Sequence, residues 1–158
     1  MSVTINTKIN GQSVSASAEA STSLLEFLRD TLEMKGSKLC CNTGECGACT
    51  IIYNGKPINS CVTMAADAIG AEIVTIEGLA DGDKLHPVQQ AFIDTGAVQC
   101  GYCTRGYIIS VKALLDRTTK PTAEDIEEAV SGNICRCTGY NKIVDAIQLA
   151  ANRIAGRA

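Results

Sequence analysis

Cysteine is the residue type that dominates the chemistry this sequence could perform. The chain has nine cysteines among 158 residues. Such a count fits a disulfide framework, structural zinc sites or iron–sulfur clusters. Disulfides suit secreted chains, and Met1 leads into an alternating stretch without a basic or apolar leader, so we expect no secretion signal. A cytoplasmic location keeps thiols reduced, which favours metals, and the spacing must then separate zinc from iron.

The first group of cysteines has the spacing of a plant-type ferredoxin. Cys41, Cys46 and Cys49 form the pattern C-x4-C-x2-C, and Cys61 follows beyond a predicted strand and turn. Two glycines inside this loop would let backbone N–H groups point toward the sulfides of a cluster. Structural zinc sites usually combine two closely spaced pairs of ligands, so three cysteines in one loop are not typical of zinc. The spacing predicts a 2Fe–2S cluster, with a zinc knuckle or buried structural thiols as alternatives.

The second group consists of two close pairs, Cys100 with Cys103 and Cys135 with Cys137. Taken alone, this pattern suits a second 2Fe–2S cluster, a zinc site or a thiol–disulfide motif. Both pairs precede predicted helices, and helix N-termini stabilise thiolates and negatively charged clusters. The placement favours a second cluster over zinc.

The elements of the first half predict a sheet around one helix. Alternating stretches at 3–9 and 14–18 flank Asn10-Gly11, which predicts a tight hairpin because both turn positions need positive φ. A capping box at 23–26 begins a helix whose leucine stripe continues to Leu32. Further strands are predicted at 49–53 and 73–76. We expect a ferredoxin-like domain over residues 1–80.

The second half, beyond a linker at 81–83, has a helical pattern. Four short helices are predicted, with apolar stripes beginning near Pro87, Tyr107, Pro121 and Ile143. His86 precedes a proline and is expected to be a turn or cap residue rather than a metal ligand. The fold class is therefore α+β, with a helical bundle over residues 81–158.

The composition excludes several classes of partner. The formal net charge is −3, so nucleic acids and anionic membranes are poor candidates. No apolar run is long enough to span a bilayer. The sequence lacks a Gly-rich phosphate fingerprint and an acid–base pair, so no flavin or nicotinamide site and no acid–base chemistry are expected on this chain.

Five motifs follow one another along the chain and are informative together. They are the loop 41–50, Asn59-Ser60-Cys61, residues 75–79, residues 98–104 and the sequence GNICRCTGY at 132–140. In this order they resemble the small iron–sulfur subunit of molybdenum hydroxylases, the family of xanthine dehydrogenase, aldehyde oxidoreductase and carbon monoxide dehydrogenase. The likeness covers nearly the whole chain, and the last motif is highly specific.

The resemblance implies a division of labour in a heterotrimer or a dimer of heterotrimers. A large subunit would hold a molybdenum–pterin cofactor, and a medium subunit would bind FAD. The cluster nearer molybdenum would be held by Cys100, Cys103, Cys135 and Cys137. The cluster nearer flavin would be held by Cys41, Cys46, Cys49 and Cys61. Gln99 and Cys137 would lie against the pterin. A stand-alone two-cluster ferredoxin is the alternative function.

Two positions depart from the family pattern. Cys40 stands where glycine is usual, and Arg105 stands where proline is usual. Neither is a predicted ligand. Adjacent side chains in an extended loop point to opposite sides, so we expect Cys40 to face away from the cluster of Cys41. It should pack there as a small buried apolar group.

Overall fold

The computed structural model describes residues 1–156, so the last two residues of the predicted 81–158 domain lie outside it. A mixed five-stranded sheet is followed by a set of helices. The strands are β1 (Ser2–Ile9), β2 (Gln12–Glu19), β3 (Thr50–Tyr53), β4 (Lys56–Asn59) and β5 (Glu72–Val74). The α-helices are α1 (Leu24–Glu26), α2 (Pro87–Asp94), α3 (Thr104–Arg117), α4 (Ala123–Val130) and α5 (Asn141–Ile154).

The predicted N-terminal hairpin is confirmed. Strands β1 and β2 pair antiparallel from Ser2 opposite Glu19 to Ile9 opposite Gln12. Asn10 and Gly11 connect them with φ angles of 51° and 81°, the conformation that a two-residue hairpin turn requires. Ile5 and Ile9 face inward and are about 1% exposed, which fixes the register of the hairpin on the core.

The sheet has the order β2-β1-β5-β3-β4, with β1 and β5 parallel and the other pairs antiparallel. The strands predicted at 49–53 and 73–76 correspond to β3 and β5. Strand β4 was not predicted, because it is short and contains Pro57. Proline is tolerated here because β4 lies at the sheet edge, where one side needs no ladder hydrogen bond.

The helix predicted after Ser23 begins as expected but continues differently. The Glu26 N–H donates to Ser23 Oγ at 3.2 Å, and the Ser23 N–H donates to Glu26 Oε2 at 2.9 Å, which confirms the capping box. The chain then widens into a π-helical turn over Phe27–Thr31, closed by the Leu32 N–H on the Phe27 carbonyl at 3.1 Å. Leu24, Leu25, Phe27 and Leu28 are all buried along this segment.

The helices share one core that also takes side chains from the first half of the chain. Tyr107, Phe92 and Ile143 are among its fully buried members, and Ile52 of β3 packs in the same cluster. Helix α3 therefore lies against the sheet, which places the start of α3 near the loop before β3. His86 is the N-cap of α2, where its Nδ1 accepts from the Val88 N–H at 3.3 Å, confirming the predicted cap. Within residues 1–156, no helix combines the length and apolarity needed to cross a membrane.

Candidate metal centres

The first group of cysteines lies on the loop between α1 and β3, and Cys61 lies just after β4. The loop turns through Gly44 and Gly47, whose φ angles are 82° and 68°, values that favour glycine. Asn59 donates from Nδ2 to the Gly44 carbonyl, and Ser60 donates from Oγ to the Cys49 carbonyl at 2.7 Å. These hydrogen bonds hold Cys61 and the loop together.

The hydrogen-bond donors around Cys41 favour its thiolate form. Its Sγ accepts from the Thr43 N–H at 3.4 Å and from the Cys46 N–H at 3.4 Å. Hydrogen bonds from Thr43, then from the Cys46 backbone, lower the pKa of Cys41 to about 5. Backbone N–H groups directed at sulfur are the donors that stabilise an iron–sulfur cluster and its ligands.

Cys49 and Cys61 are a buried pair beside Leu25. Burial, followed by the neighbouring Cys49, raises the pKa of Cys61 to about 12. The Cys61 thiol therefore resists ionisation when no cation is present. A coordinated metal reverses this balance, because it deprotonates a thiol outright. The chemistry of this pair fits iron.

The second group brings together two segments that are distant in sequence. The Sγ atoms of Cys100 and Cys137 lie 3.5 Å apart at the surface. Cys103 and Cys135 lie deeper, and burial, then contact with Cys135, raises the pKa of Cys103 to about 12. Burial also raises the pKa of Cys135, but donors from Thr138 and Cys137 outweigh it, so that pKa is lowered overall.

Three pairs of predicted ligands are in contact: Cys49 with Cys61, Cys100 with Cys137, and Cys103 with Cys135. The Cys46 thiol contacts Cys40. A binuclear cluster takes two thiolates on each iron, so paired thiols are the donor set it needs. Within the part of the chain that the structure describes, no three Cys, His, Asp or Glu side chains are placed around a single metal ion.

The two groups meet at a tightly packed junction. A Cβ on Gly106, in the first turn of α3, would overlap the Gly47 carbonyl oxygen. Asn133 is buried beside them and donates from Nδ2 to the same carbonyl at 3.1 Å, while its Oδ1 accepts from Ser110 at 2.7 Å. The Tyr107 hydroxyl donates to the Asn133 carbonyl. This junction fixes the position of one cysteine group relative to the other.

A backbone hydrogen bond also joins the two groups directly. The Ile134 N–H donates to the Cys46 carbonyl at 3.0 Å. Ile134 immediately precedes Cys135, so one hydrogen bond links a cysteine of the first group to the neighbour of a cysteine in the second. The sequence did not predict this link or the role of Asn133, although GN within the GNICRCTGY motif was the signal available.

The prediction that Cys40 packs as a buried apolar group was wrong. Cys40 is exposed rather than buried, and it lies on a bend, so the alternation of an extended strand does not apply. Contact with the Cys46 thiol raises the pKa of Cys40. The side chain borders a cavity of about 190 Å³ that both cysteine groups line. The lining residues are Cys40, Cys46, Ala48, Cys100, Tyr102, Cys103, Ile134, Arg136 and Cys137.

Comparisons with known proteins agree with this arrangement. A family profile described as a 2Fe-2S iron-sulfur cluster binding domain matches residues 7–72, and one described as a 2Fe-2S binding domain matches residues 75–148. The small FeS subunit of nicotinate dehydrogenase from Eubacterium barkeri is 47% identical over 97% of this chain and 98% of its own. A nicotinate dehydrogenase subunit from Pseudomonas putida is 48% identical, with 96% of each chain covered. The chain belongs to the family of small iron–sulfur subunits of molybdenum hydroxylases.

Solved structures of oxidoreductases contain the same kind of chain. The quinoline 2-oxidoreductase of Pseudomonas putida 86 has a chain that matches with a TM-score of 0.92 and 38% identity over 99% of both chains. The aldehyde oxidoreductase of Desulfovibrio desulfuricans matches with a TM-score of 0.94 and 40% identity over 98% of the present chain. That match spans only 17% of the longer aldehyde oxidoreductase chain. The expected function is confirmed: this is an electron-transfer subunit of an oxidoreductase complex.

Proposed function

We propose that this chain carries electrons from a molybdenum–pterin centre on a large subunit to FAD on a medium subunit. The bound 2Fe–2S clusters supply one-electron redox chemistry. The observation that carries this proposal is the junction of Gly47, Gly106 and Asn133, which sets two four-cysteine groups side by side in one packed core. Two adjacent redox sites in one chain are the arrangement that an electron conductor needs.

The ligands are assigned by group in this proposal. One cluster is held by Cys41, Cys46, Cys49 and Cys61. The other is held by Cys100, Cys103, Cys135 and Cys137. The paired thiols and the N–H donors to Cys41 and Cys135 support the assignment. We also keep the division into a β-grasp ferredoxin-like domain at 1–80 and a four-helix bundle at 81–158.

The second group is the one we place against the large subunit. Cys100 and Cys137 are exposed, although a cluster in solution would be vulnerable there. Large apolar side chains next to them in sequence are also exposed, namely Val98, Tyr102, Ile134 and Tyr140. Exposed apolar surface of this kind marks a protein interface. Gln99 is exposed beside Cys100. The exposure of Gln99 and Cys137 suits contact with the pterin of the large subunit.

The first group is the one we place toward the flavin. Cys49 and Cys61 are covered within the chain, and Val62 beside them is 60% exposed. Electrons pass between the groups through the hydrogen bond from the Ile134 N–H to the Cys46 carbonyl. This bond makes the route between Cys46 and Cys135 short and almost wholly covalent.

The substrate is bound elsewhere in the complex, so this chain does not select it. The iron–sulfur-binding chain of aldehyde oxidoreductase from Escherichia coli is 44% identical, close to the 47% and 48% of the nicotinate dehydrogenase relatives. We propose a heterotrimer or a dimer of heterotrimers in the cytoplasm, where thiols stay reduced until the clusters assemble.

Metal analysis of the purified complex tests the proposal. We expect about four irons and four acid-labile sulfides per chain, with two distinct rhombic EPR signals on reduction. Large and medium subunits should co-purify. Two irons per chain in fully loaded protein would contradict the second cluster. A fully loaded chain that purifies alone and reduces several unrelated acceptors would support the alternative, a stand-alone ferredoxin.

A further inference from the structure

Arg105 stands where proline is usual in the family, and it has no role in the proposed electron relay. It is the second residue of α3 and lies two positions after Cys103. Its Nη1 donates to the Gly101 carbonyl at 3.1 Å, inside the loop between Cys100 and Cys103. The half-buried guanidinium is therefore held at this loop rather than extended into solvent.

This position is electrostatically unfavourable within the chain itself. The N-terminus of a helix already carries partial positive charge, and a cation there opposes the helix dipole. The ammonium of Lys38 donates to the Lys35 carbonyl at 2.8 Å, and burial, then the charges of Arg105 and Arg29, lower its pKa. The nearby Glu77 carboxylate accepts from the Gly36 N–H at 2.7 Å. Within residues 1–156, no carboxylate oxygen lies within 4 Å of the Arg105 guanidinium.

The segment that carries Lys38 also packs on the loop of the second cysteine group. The Tyr102 hydroxyl donates to the Leu39 carbonyl, and Cys40 borders the same cavity as Cys100. The Arg105 guanidinium and a helix N-terminus thus lie at the segment from Cys100 to Cys103, and Lys38 lies on the neighbouring segment that packs against it. Such a concentration of positive charge is stable when an anion occupies the space between those cysteines.

We propose that Arg105, supported by Lys38, stabilises the reduced form of the cluster held by Cys100, Cys103, Cys135 and Cys137. A core of charge about +2 with four thiolates carries about −2, and one added electron makes it about −3. Arg105 favours the more negative state and so raises the reduction potential of this cluster. The electron comes from the partner's molybdenum centre and leaves to the other cluster, so this inference depends on the proposed relay.

Arg105→Gln in the intact complex tests the inference, because it removes the charge and keeps a hydrogen-bond donor for Gly101. EPR-monitored redox titration should show that the equilibrium constant for reducing this cluster falls about threefold to tenfold. At 59 mV per tenfold for one electron, this is a shift of about 30 to 60 mV. The other cluster should shift by less than half of that value.

Three further variants make the result specific. Arg105→Lys should restore the potential, and Lys38→Gln should lower it by a smaller amount. Arg117→Gln removes the same charge about 18 Å away, at the other end of α3, and should leave both potentials unchanged.

An unchanged potential in Arg105→Gln, or an equal shift of both clusters, would overturn the inference. An unchanged potential with loss of the large subunit on gel filtration would show instead that Arg105 binds a carboxylate of that subunit. Absence of a second EPR signal in the unsubstituted complex is a different result. It would contradict the proposed relay, and this inference with it.

Discussion

The two cysteine groups of this chain hold four thiols each, but they protect them in different ways. The first group lies mostly on one loop, whose own backbone supplies the donors to Cys41. Its pair Cys49 and Cys61 is 2% and 8% exposed. The second group joins two distant segments, and Cys100 and Cys137 remain exposed. Cys41 and Cys46 of the first group are half-buried, so the first group is more covered within the chain than the second.

This difference assigns separate physical roles to the two halves. A covered site sets its own environment, because its donors and apolar neighbours come from one chain. An exposed site takes part of its environment from the subunit that docks on it. Exposure is also what allows a close approach to a cofactor on that subunit. Substitutions in each group test this contrast between a more covered and a more exposed site.

Cys103→Ser should have the largest effect, because it removes a ligand of the second group. We expect about two irons per chain instead of four, with one EPR signal lost and the other retained. Turnover should fall more than about a hundredfold, since even outer partners of metal ligands cost ten- to a hundredfold. Equal loss of both EPR signals would show that the two sites assemble as one unit rather than separately.

Gly106→Ala should disturb the junction between the two groups. The added Cβ would overlap the Gly47 carbonyl oxygen, and neither backbone can easily move. We expect a loss of about 2 to 3 kcal/mol in the free energy of unfolding, measured by denaturant titration. Gly132→Ala is the matched control, because nothing lies within 4 Å of its added Cβ. Similar stability of the two variants would contradict the described junction.

Ser23→Ala tests the capping box at the start of α1, in the half of the chain that holds the first cysteine group. Loss of the capping box should cost about 1 kcal/mol of unfolding free energy. Hydrogen bonds from Ser23 lower the pKa of Glu26 from its ordinary value of 4.5. The ionised Glu26 therefore contributes stability at pH values above 4.5, and this part is lost as the pH falls through the lowered pKa. The difference between Ser23→Ala and the parent, measured by thermal melts, should shrink in acid; a constant difference would exclude this linkage.

Cys40→Ala should have the smallest effect. Cys40 lies beside Cys46, but the eight other cysteines already supply two complete ligand sets. We expect both EPR signals and turnover to stay near those of the parent. Loss of the first group's signal in Cys40→Ala, with retention in Cys41→Ala, would show that Cys40 is the ligand.

Local signals in the sequence predicted much of this molecule. Asn10-Gly11 predicted the hairpin because a two-residue turn needs positive φ at both positions, and few residues adopt it. His86 predicted a cap because proline follows it at the first helical position. The cysteine spacings predicted the two groups because ligand geometry restricts the loops that can hold a cluster. For the hairpin and the cap, the physical cause lies within a few residues.

The features that were missed depend on contacts between distant segments. No local pattern in the sequence predicted the π-helical turn at 27–31. Asn133 donates a hydrogen bond to the Gly47 carbonyl, which is 86 positions away in sequence. The exposure of Cys40 follows from a bend in the loop before Cys41. The role of Asn133 becomes visible only when the two halves are packed together.

The order of the relay is the central claim, and Cys49→Ser tests it most directly. The complex is mixed once with a substrate that reduces the parent enzyme and is frozen rapidly for EPR. We predict that the signal of the second group still appears at the parental rate, while reoxidation through the flavin is slowed. Failure of the substrate to reduce the second group in this variant would contradict the proposed order.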